Sequence, residues 1–471
     1  MTSNQPRPQD HEDSDDDAQL DADEVGEEIE KDGDVPMDED EDENQMVQEI
    51  ALQNDSIAHF DAHTDSIFCI AQHPTNPNIV VTGGGDDIAY VFNTFTEPGP
   101  ALPSSYNSGP PQQLQERASL KPLQKLNGHT DSINAIGFRG QGQYVITAGL
   151  DGKIRAWRTR ARNGEGEWTF LAEAKEVDEI NWLAVNPNTS KGDVFAVGGS
   201  DGSVWVYKVD ANDKGNELGI LMTQYLHTES CTAGSWTPDG GLLATVSEDS
   251  SLTVWDVFGT GQAAITLTAE DQRFTVEGGL YSVACSSSMV AVGGAGGNVR
   301  VVGLPTAGSS STSKASKNAK ATSSSAGQIL AALQTQSDGV ETLSFSTPPL
   351  NLLAAGSVDG SIALFDTAHR FAMRRHIREA HENEAVVKVE FVTSAQKGYV
   401  LTSAGMDGVV RRWDVRGGTT AAGLGFIKEW QGHRGGGEGG GVLDFVQGGD
   451  GNKIVTAGDD GVSLVFRADI S

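Results

Sequence analysis

Histidine, a hydroxyl residue, aspartate and tryptophan recur along this chain at fixed spacing, a combination that could transfer protons or activate a nucleophile. The second copy of the pattern places them at His129, Thr147, Asp151 and Trp157. A hydrolase would bring such groups together once, around one substrate. Because the pattern returns eight times, we expect a structural role instead. Each aspartate would accept backbone N–H bonds, and the histidine, hydroxyl and indole would form a hydrogen-bonded chain that fixes the turn.

Each copy is a hydrophobic stretch ending in a small residue, then a turn rich in Gly, Ser and Asp, then an alternating stretch that ends in an aromatic residue. The copies occupy residues 82–92, 147–157, 197–207, 245–255, 292–302, 355–365, 403–413 and 456–466. Six more turn aspartates are predicted to act as Asp151 does: Asp86, Asp201, Asp249, Asp359, Asp407 and Asp460. The fifth copy carries Gly296 and Val302 at the aspartate and aromatic positions, which predicts the least rigid unit.

Short strands and tight turns are the elements that must position these residues. Glycine is abundant, at 57 of 471 residues, and only 21% of residues are charged, which favours an all-β fold. Eight similar units that cannot bury their apolar faces alone predict an eight-bladed β-propeller over residues 56–471. The last blade would lack one strand, so we expect residues 56–60 to pair with it and close the ring.

Negative charge dominates the chain and is concentrated at its start. The formal net charge is −33, and the first 49 residues contain 21 acidic residues against only Arg7 and Lys31. Such a segment is self-repelling and poor in apolar side chains, so residues 1–55 are predicted to be a disordered acidic tail. Two low-complexity stretches, near residues 97–115 and 305–327, are predicted to be surface insertions.

The same composition disfavours several classes of function. No basic patch is present for DNA or RNA. The three cysteines lack the spacing of a disulfide framework or a metal site, and no nucleophile or cofactor motif occurs. No signal peptide or long apolar segment is present either. We therefore expect a non-enzymatic protein without metal or cofactor, not bound to membranes, in the cytoplasm with the nucleus as a second location, and monomeric because a closed ring completes its own core.

Acidic side chains fall at positions that would project from one face of such a propeller, around the start of each innermost strand and just before each turn aspartate. The predicted peptide-binding residues on this top rim are Glu179, Glu248, Glu341, Asp459, Phe68, Asn134, Asn181, Tyr281, Asp131 and Asp178. Acids from several blades around one opening would add their potentials, and aromatic rings would offer flat contacts. The rim thus suits an Arg- or Lys-rich peptide, although surface acids could also serve solubility alone.

The Trp-Asp dipeptides at residues 255–256 and 413–414 resemble those of WD-repeat proteins. A narrower resemblance, to the angio-associated migratory cell protein family, is carried by the acidic tail and by residues 63–70, 81–87, 178–182 and 442–445. Through its fungal members, the resemblance implies a dedicated chaperone in large (60S) ribosomal subunit biogenesis. Such a chaperone would hold the basic N-terminal segment of a ribosomal protein of the L-ten family on the acidic rim until assembly. A WD-repeat scaffold in signalling or cytoskeletal complexes is the alternative, and it predicts a mixed or apolar rim.

Overall fold

A computed structural model describes residues 53–96, 119–305, 325–394, 396–417, 422–435 and 440–469. These residues form eight four-stranded antiparallel sheets, the blades of a β-propeller, so the predicted fold class is confirmed. The predicted acidic tail up to residue 52 lies outside the described residues, and so do residues 97–115 and most of 305–327.

Blades 1 to 4 each take four consecutive strands, numbered from the innermost strand outward. Blade 1 contains β2 (Ile67–Gln72), β3 (Ile79–Gly84), β4 (Ala89–Asn93) and β5 (Pro122–Leu126). Blade 2 contains β6 (Ile133–Arg139), β7 (Tyr144–Gly149), β8 (Lys153–Thr159) and β9 (Trp168–Lys175). Blade 3 contains β10 (Ile180–Val185), β11 (Val194–Gly199), β12 (Val204–Val209) and β13 (Leu218–Gln224). Blade 4 contains β14 (Cys231–Trp236), β15 (Leu242–Ser247), β16 (Leu252–Asp256) and β17 (Ala263–Leu267).

Blades 5 to 7 repeat this order, and blade 8 takes its outermost strand from the start of the chain. Blade 5 contains β18 (Leu280–Cys285), β19 (Met289–Gly294), β20 (Asn298–Gly303) and β21 (Ile329–Gln334). Blade 6 contains β22 (Val340–Phe345), β23 (Leu352–Ser357), β24 (Ile362–Asp366) and β25 (Ala372–Ile377). Blade 7 contains β26 (Val386–Phe391), β27 (Val400–Gly405), β28 (Val410–Asp414) and β29 (Phe426–Trp430). Blade 8 contains β30 (Val442–Val446), β31 (Lys453–Gly458), β32 (Ser463–Arg467) and β1 (Ala58–Phe60).

Helical structure in the described residues is limited to short 3-10 turns, at Gly140–Gly142, Thr189–Lys191, Ala295–Gly297 and Ala422–Gly425. None of the helices described is long and apolar enough to cross a membrane. The predicted copies correspond to the hairpins of the second and third strands, such as β7 and β8 in blade 2. Second strands such as β3 and β11 are buried along their whole length, because a neighbouring blade covers each of their faces.

The apolar core lies between blades rather than at one centre. One cluster joins Val81 and Val91 of blade 1 to Ile133 and Phe138 of blade 2, and similar clusters follow around the ring. Apolar surface buried in this way contributes roughly 25 cal/mol per Å². Each blade is therefore stabilised by its neighbours and not by its own sheet alone.

Hydrogen bonds from the innermost strands also cross every blade interface in the described residues. Each innermost strand contains a β-bulge, and a side chain at the bulge or just after it bonds the innermost strand of the next blade over 2.6 to 3.4 Å. The eight side chains are Cys69, Asn134, Asn181, Thr232, Ser282, Thr342, Lys388 and Asp444. Polar bonds thus fix the relative register of adjacent blades.

Strand β1 pairs antiparallel with β32, which joins the two ends of the propeller. The strand covers Ala58–Phe60, two residues shorter at its start than the predicted 56–60. Phe60 is fully buried and stacks on Phe92 of blade 1 with ring centroids 4.1 Å apart. Asp55 lies before the predicted domain boundary, yet its N–H donates to the Gln431 carbonyl over 2.8 Å. The propeller therefore begins a few residues earlier than predicted.

Candidate functional site

The predicted hydrogen-bonded chain at the turn is complete in blade 7. The indole N–H of Trp413 donates to Ser403 Oγ over 2.9 Å, and Ser403 Oγ lies 2.7 Å from Nε2 of His381. The other imidazole nitrogen of His381, Nδ1, is 2.9 Å from Asp407 Oδ1. The chain links the second strand, the third strand and the turn, so it holds the hairpin in one geometry.

Blades 1, 2 and 8 contain the histidine, hydroxyl and aspartate part of this chain. The His–Asp distances are 2.9 Å for His63–Asp86, 3.0 Å for His129–Asp151 and 3.0 Å for His433–Asp460. Blades 1 and 8 have Phe92 and Phe466 at the tryptophan position of the third strand, and these side chains carry no N–H. Blade 2 has the tryptophan, but the Trp157 N–H finds no hydrogen-bond partner among the described residues.

The prediction that Trp157 completes the chain in blade 2 is therefore wrong. Its ring instead lies edge-on to Phe170, with centroids 5.5 Å apart, and the Arg155 guanidinium sits 5.4 Å from it. Trp413 of blade 7 has the same edge-on contact, with Phe426 at 5.6 Å, yet its N–H donates to Ser403. In blade 4, too, the Trp255 N–H donates to Thr245 Oγ1, over 2.9 Å.

Histidine is also less regular than the predicted eightfold recurrence. Five of the blades have it, whereas Val177, Val276 and Gln336 lie at the corresponding place in blades 3, 5 and 6. In blade 4, Ser251 lies between His227 and Asp249: its Oγ is 2.6 Å from His227 Nδ1, and its N–H donates to Asp249 Oδ1. Blade 3 has a shorter chain without histidine, in which the Trp205 N–H donates to Ser203 Oγ and Ser203 donates to Asp201.

Burial and hydrogen bonding together determine the charge states of the turn histidines and of Asp151. It lowers the pKa of His129, His227 and His381, so these rings are neutral at pH 7. Burial alone would raise the pKa of Asp151, but the bonds from His129 and from two backbone N–H groups outweigh it and lower that pKa. Asp151 is thus an ionised acceptor inside its turn, and the His–Asp pairs are occupied in holding the blades.

A second eightfold feature defines the top rim. In every blade the residue before the turn-aspartate position donates its N–H to the carbonyl of the residue before the innermost strand, over 2.9 to 3.2 Å. Ser200 bonds Glu179 in this way, and Glu248 bonds Ser230. Rim residues are predicted from the sequence at two places, at the start of each innermost strand and just before each turn aspartate. These two places are therefore adjacent in each blade and lie at the same end of the propeller.

Exposed acids recur at one place on this rim, two residues ahead of the innermost strand. Six of the eight blades carry one there, and we name these six the rim acids: Asp65, Asp131, Asp178, Glu229, Asp338 and Glu384. Asp131 and Asp178 are among the rim residues predicted from the sequence, whereas Asp338 and Glu384 are not. Asp338 and Glu384 could have been found from their distance of two residues from the start of the innermost strand. The neighbouring residues give no common motif, because they differ from blade to blade.

Glu179 and Glu248 are exposed beside the rim acids, in blades 3 and 4. Glu341 occupies the bulge of its innermost strand, at the central opening. Partial burial there raises its pKa, and the nearby Asp338 carboxylate raises it further. Asp87 shows the same crowding in blade 1, where burial and then the carboxylates of Asp131 and Asp151 raise its pKa. The rim therefore concentrates negative charge across several blades.

Four other predicted contacts also lie at bulges of innermost strands: Phe68, Asn134, Asn181 and Tyr281. The amides of Asn134 and Asn181 donate to main-chain carbonyls of the next blade, over 2.6 Å and 3.0 Å. Tyr281 donates to the Gly278 carbonyl, while Phe68 is 39% exposed. The structure thus assigns the two asparagines to the joints between blades and leaves the Phe68 ring free for contact.

Asp459 is the most enclosed of the predicted rim acids. Its carboxylate accepts a 2.7 Å hydrogen bond from the Ser66 hydroxyl, and its carbonyl accepts a second bond of 3.0 Å from the same group. This contact connects blade 8 to blade 1. Elsewhere in the described part of the chain, no group of three or more His, Cys, Asp or Glu residues has metal-site geometry, and the three cysteines are free.

Comparison with known proteins places these features in a family. The model of the WD domain, G-beta repeat, matches residues 54–93, 120–158 and 219–256. Ribosome assembly protein SQT1 of Saccharomyces cerevisiae is 29% identical over 441 residues, which cover 89% of this chain and 88% of that protein. Human angio-associated migratory cell protein is 24% identical over 417 residues, covering 88% of this chain and 80% of the human protein.

Solved structures give a stronger match. The crystal structure of Chaetomium thermophilum Sqt1 is 49% identical, with a TM-score of 0.76, and the match covers 88% of this chain and 98% of that one. A structure of the same protein bound to the N-terminus of the ribosomal protein L10 is also 49% identical, with a TM-score of 0.75 and coverage of 88% and 100%. The resemblance predicted from sequence is confirmed, and the chain belongs to the WD-repeat family that includes the ribosome assembly protein Sqt1 and angio-associated migratory cell protein.

Proposed function

We propose that this chain is a dedicated chaperone in assembly of the large ribosomal subunit, and that it binds the basic N-terminal segment of ribosomal protein L10. The observation that carries the proposal is the similar Sqt1 structure bound to that N-terminus, since the match covers the whole of that chain. The rim acids supply the complementary charge. The protein acts by binding, because its repeated His–Asp pairs are buried within turns and hold the blades.

The proposed binding surface comprises the rim acids with Glu179, Glu248, Glu341 and Phe68. Ribosomal proteins carry Arg- and Lys-rich segments that bind RNA, and a free segment of this kind associates with any polyanion. A ring of carboxylates would shield the segment until ribosomal RNA competes for it. Since ribosomal proteins are synthesised in the cytoplasm, we place capture of the client there, with passage into the nucleus as a second possibility.

A general signalling or cytoskeletal scaffold is the second candidate, because WD-repeat propellers serve many complexes. It predicts binding that does not depend on the rim acids. The exposed apolar residues Ile220 and Leu221 on outer strand β13 are the kind of surface that such a scaffold would use. The two functions therefore differ in which face of the propeller they require.

Charge reversal on two faces tests the proposal. One variant carries Asp131→Lys, Glu179→Lys and Glu248→Lys on the rim. The matched control carries Glu165→Lys, Glu167→Lys and Asp213→Lys at the opposite end of blades 2 and 3, so its net charge is identical. Each protein is titrated with an L10 N-terminal peptide and used to capture partners from extract, after circular dichroism shows both are folded.

We expect the rim variant to lose affinity for the peptide by more than about a hundredfold, since three attractive charges become repulsive. The control should bind within about threefold of wild type. Binding should weaken as salt is raised, because the rim is solvent-exposed. Equal binding by both variants, or absence of L10 among the partners captured by wild type, would contradict the proposal and favour the scaffold.

A further inference from the structure

The eight bulge positions give the central opening two unlike sides. Because neighbouring blades enclose the innermost strands, a bulge side chain that remains accessible faces the opening. In blades 2 to 6 these side chains are polar: Asn134, Asn181, Thr232, Tyr281 and Glu341. In blades 7, 8 and 1, which are consecutive around the ring, they are Val387, Leu443 and Phe68.

These three apolar side chains are not part of the core. Phe68 is 39% exposed, and Val387 and Leu443 are half-buried, whereas the first residue of each of these strands, such as Ile67 and Val386, is fully buried. Single exposed apolar residues are ordinary on a protein surface. Three at equivalent positions in consecutive blades place an apolar patch on one side of the opening.

Met406 extends this patch between blades 7 and 8. It precedes the turn aspartate Asp407 and lies across the start of strand β30, where a Cβ on Gly441 would come within 2.6 Å of its sulfur. Glycine at position 441 is therefore what allows the thioether to lie flat on blade 8. In the same way, the Phe68 ring covers Gly85 of blade 1, where a Cβ would lie 3.3 Å from the ring. We name Val387, Met406, Leu443 and Phe68 the apolar arc.

Two rim acids flank the apolar arc. The rim acids Glu384 of blade 7 and Asp65 of blade 1 are both exposed beside it. A carboxylate of Asp65 lies 3.0 Å from the place of a Gly85 Cβ, next to the Phe68 ring. A guest on this side therefore meets apolar surface at the opening and a carboxylate at each end of the arc, in blades 7 and 1. A methionine and an aromatic ring adapt to apolar side chains of different shapes.

We propose that the client segment carries an apolar or aromatic side chain among its basic residues, and that this side chain sits on the apolar arc. The inference rests on the proposed function, because the same segment would bind the rim acids. Basic residues then contact the rim acids, and the apolar residue fixes which way along the rim the segment runs. Similar acids repeated around the ring would by themselves attract a cationic peptide at several blades.

Titration of variants of the arc with the L10 N-terminal peptide tests this inference. The test protein carries Val387→Thr and Leu443→Asn, changes that keep similar side-chain volumes. The matched control carries Ile220→Thr and Leu221→Asn on outer strand β13, where the two side chains are 48% and 47% exposed. A second set of peptides has each apolar or aromatic residue replaced in turn by serine at constant charge.

We expect the arc variant to bind the peptide about tenfold more weakly, and one serine peptide to lose a similar factor with wild type. The dependence of affinity on salt should be unchanged, since no charge has been removed. That serine peptide should bind the arc variant with little additional loss, because both changes remove the same contact.

Wild-type affinity in the arc variant would overturn the inference while leaving the proposed function intact, provided that the rim charge-reversal variant still fails to bind. If wild type does not bind the peptide at all, the proposed function fails instead. A loss in the β13 control equal to that in the arc variant would also overturn the inference, because it would indicate a general effect of removing surface apolar groups.

Discussion

The hydroxyl of Ser66 donates a 2.7 Å hydrogen bond to the carboxylate of Asp459, a residue 393 positions further along the chain. The contact lies on the top rim, yet it joins blade 8 to blade 1. Asp459 therefore differs from Glu179 and Glu248, whose carboxylates are exposed to solvent. Position on the rim alone does not make an acid available to a ligand.

Replacement of Asp459 by alanine should reduce stability more than binding. We expect Asp459→Ala to lower the free energy of unfolding by about 1 kcal/mol and to change affinity for the L10 peptide less than about threefold. Ser66→Ala should have a similar effect, and the double variant should lose less than the sum of the two. Urea denaturation and peptide titration measure both quantities. A tenfold loss of affinity with unchanged stability would contradict this assignment.

The two tryptophans at equivalent positions of blades 2 and 4 should respond differently to one substitution. Trp255→Phe removes the bond to Thr245, and we expect it to cost about 1 kcal/mol more than Trp157→Phe, whose N–H has no partner among the described residues. The loss of ring volume is the same in both. Equal destabilisation in urea would show that the Trp255 hydrogen bond contributes nothing.

Phe60 should be essential for closing the ring. The side chain is fully buried and stacks on Phe92, so Phe60→Ala should lower the free energy of unfolding by about 3 to 5 kcal/mol. His59→Ala, in the same strand but with its side chain partly exposed, is the control and should have a small effect. Thermal unfolding followed by circular dichroism compares them. Similar transition temperatures for both would contradict the role of Phe60.

Acid should destabilise the propeller through its buried histidines. Burial lowers the pKa of His129, His227 and His381 in the folded state, while the unfolded chain titrates near its ordinary value of about 6.5. The unfolded state then binds more protons as pH falls through and below about 6.5, so stability decreases there. We expect the midpoint temperature of thermal unfolding to decrease as the pH is lowered from about 7.5 to about 5.5.

Blade 6 provides the control for this pH effect, because Gln336 takes the place of histidine there and donates to Ser361. The variant His381→Gln should be less stable at neutral pH and should lose a smaller part of its stability on acidification. The same slope of stability against pH in wild type and variant would show that His381 does not contribute to it.

Client binding should weaken at acid pH through Glu341. Burial, and then Asp338, raises the pKa of this carboxyl, so it is protonated at higher pH than an ordinary glutamate. A bound cation favours the ionised form, and affinity therefore falls as pH decreases through this raised pKa. Glu341→Gln should bind more weakly at pH 7 and show a flatter pH profile, whereas Glu167→Gln at the opposite end should match wild type. Identical profiles would contradict this role for Glu341.

The propeller could be predicted from the sequence because each copy carries its own signal. The strand and turn recur eight times and the aromatic residue seven times, and all eight copies became hairpins of the expected sheets. The hydrogen bonds inside the copies were less predictable. Trp157 and Trp413 pack edge-on against equivalent phenylalanines, yet of these two only Trp413 donates to the hydroxyl of its second strand, and no local pattern distinguishes them.

The rim was only partly predictable for a different reason. Asp338 and Glu384 become equivalent to Asp131 once the innermost strands are known, but the loops that precede those strands differ in length and composition. The asparagines at the bulges look like ligand contacts in the sequence. In the structure, Asn134 and Asn181 instead bond the next blade, and this distinction depends on contacts between residues about fifty positions apart.

The pairing of β1 with β32 also determines when, during synthesis of the chain, the propeller can close. A ribosome synthesises the first strand of this chain at the start and its partner at the end, so the opening at the centre of the rim is enclosed only when β32 has emerged. Until then the blades carry their acids on an open arc with two bare sheet edges. A molecule that is still being translated thus carries its rim acids before the opening they surround is closed, and we expect the same of a product that ends before β32.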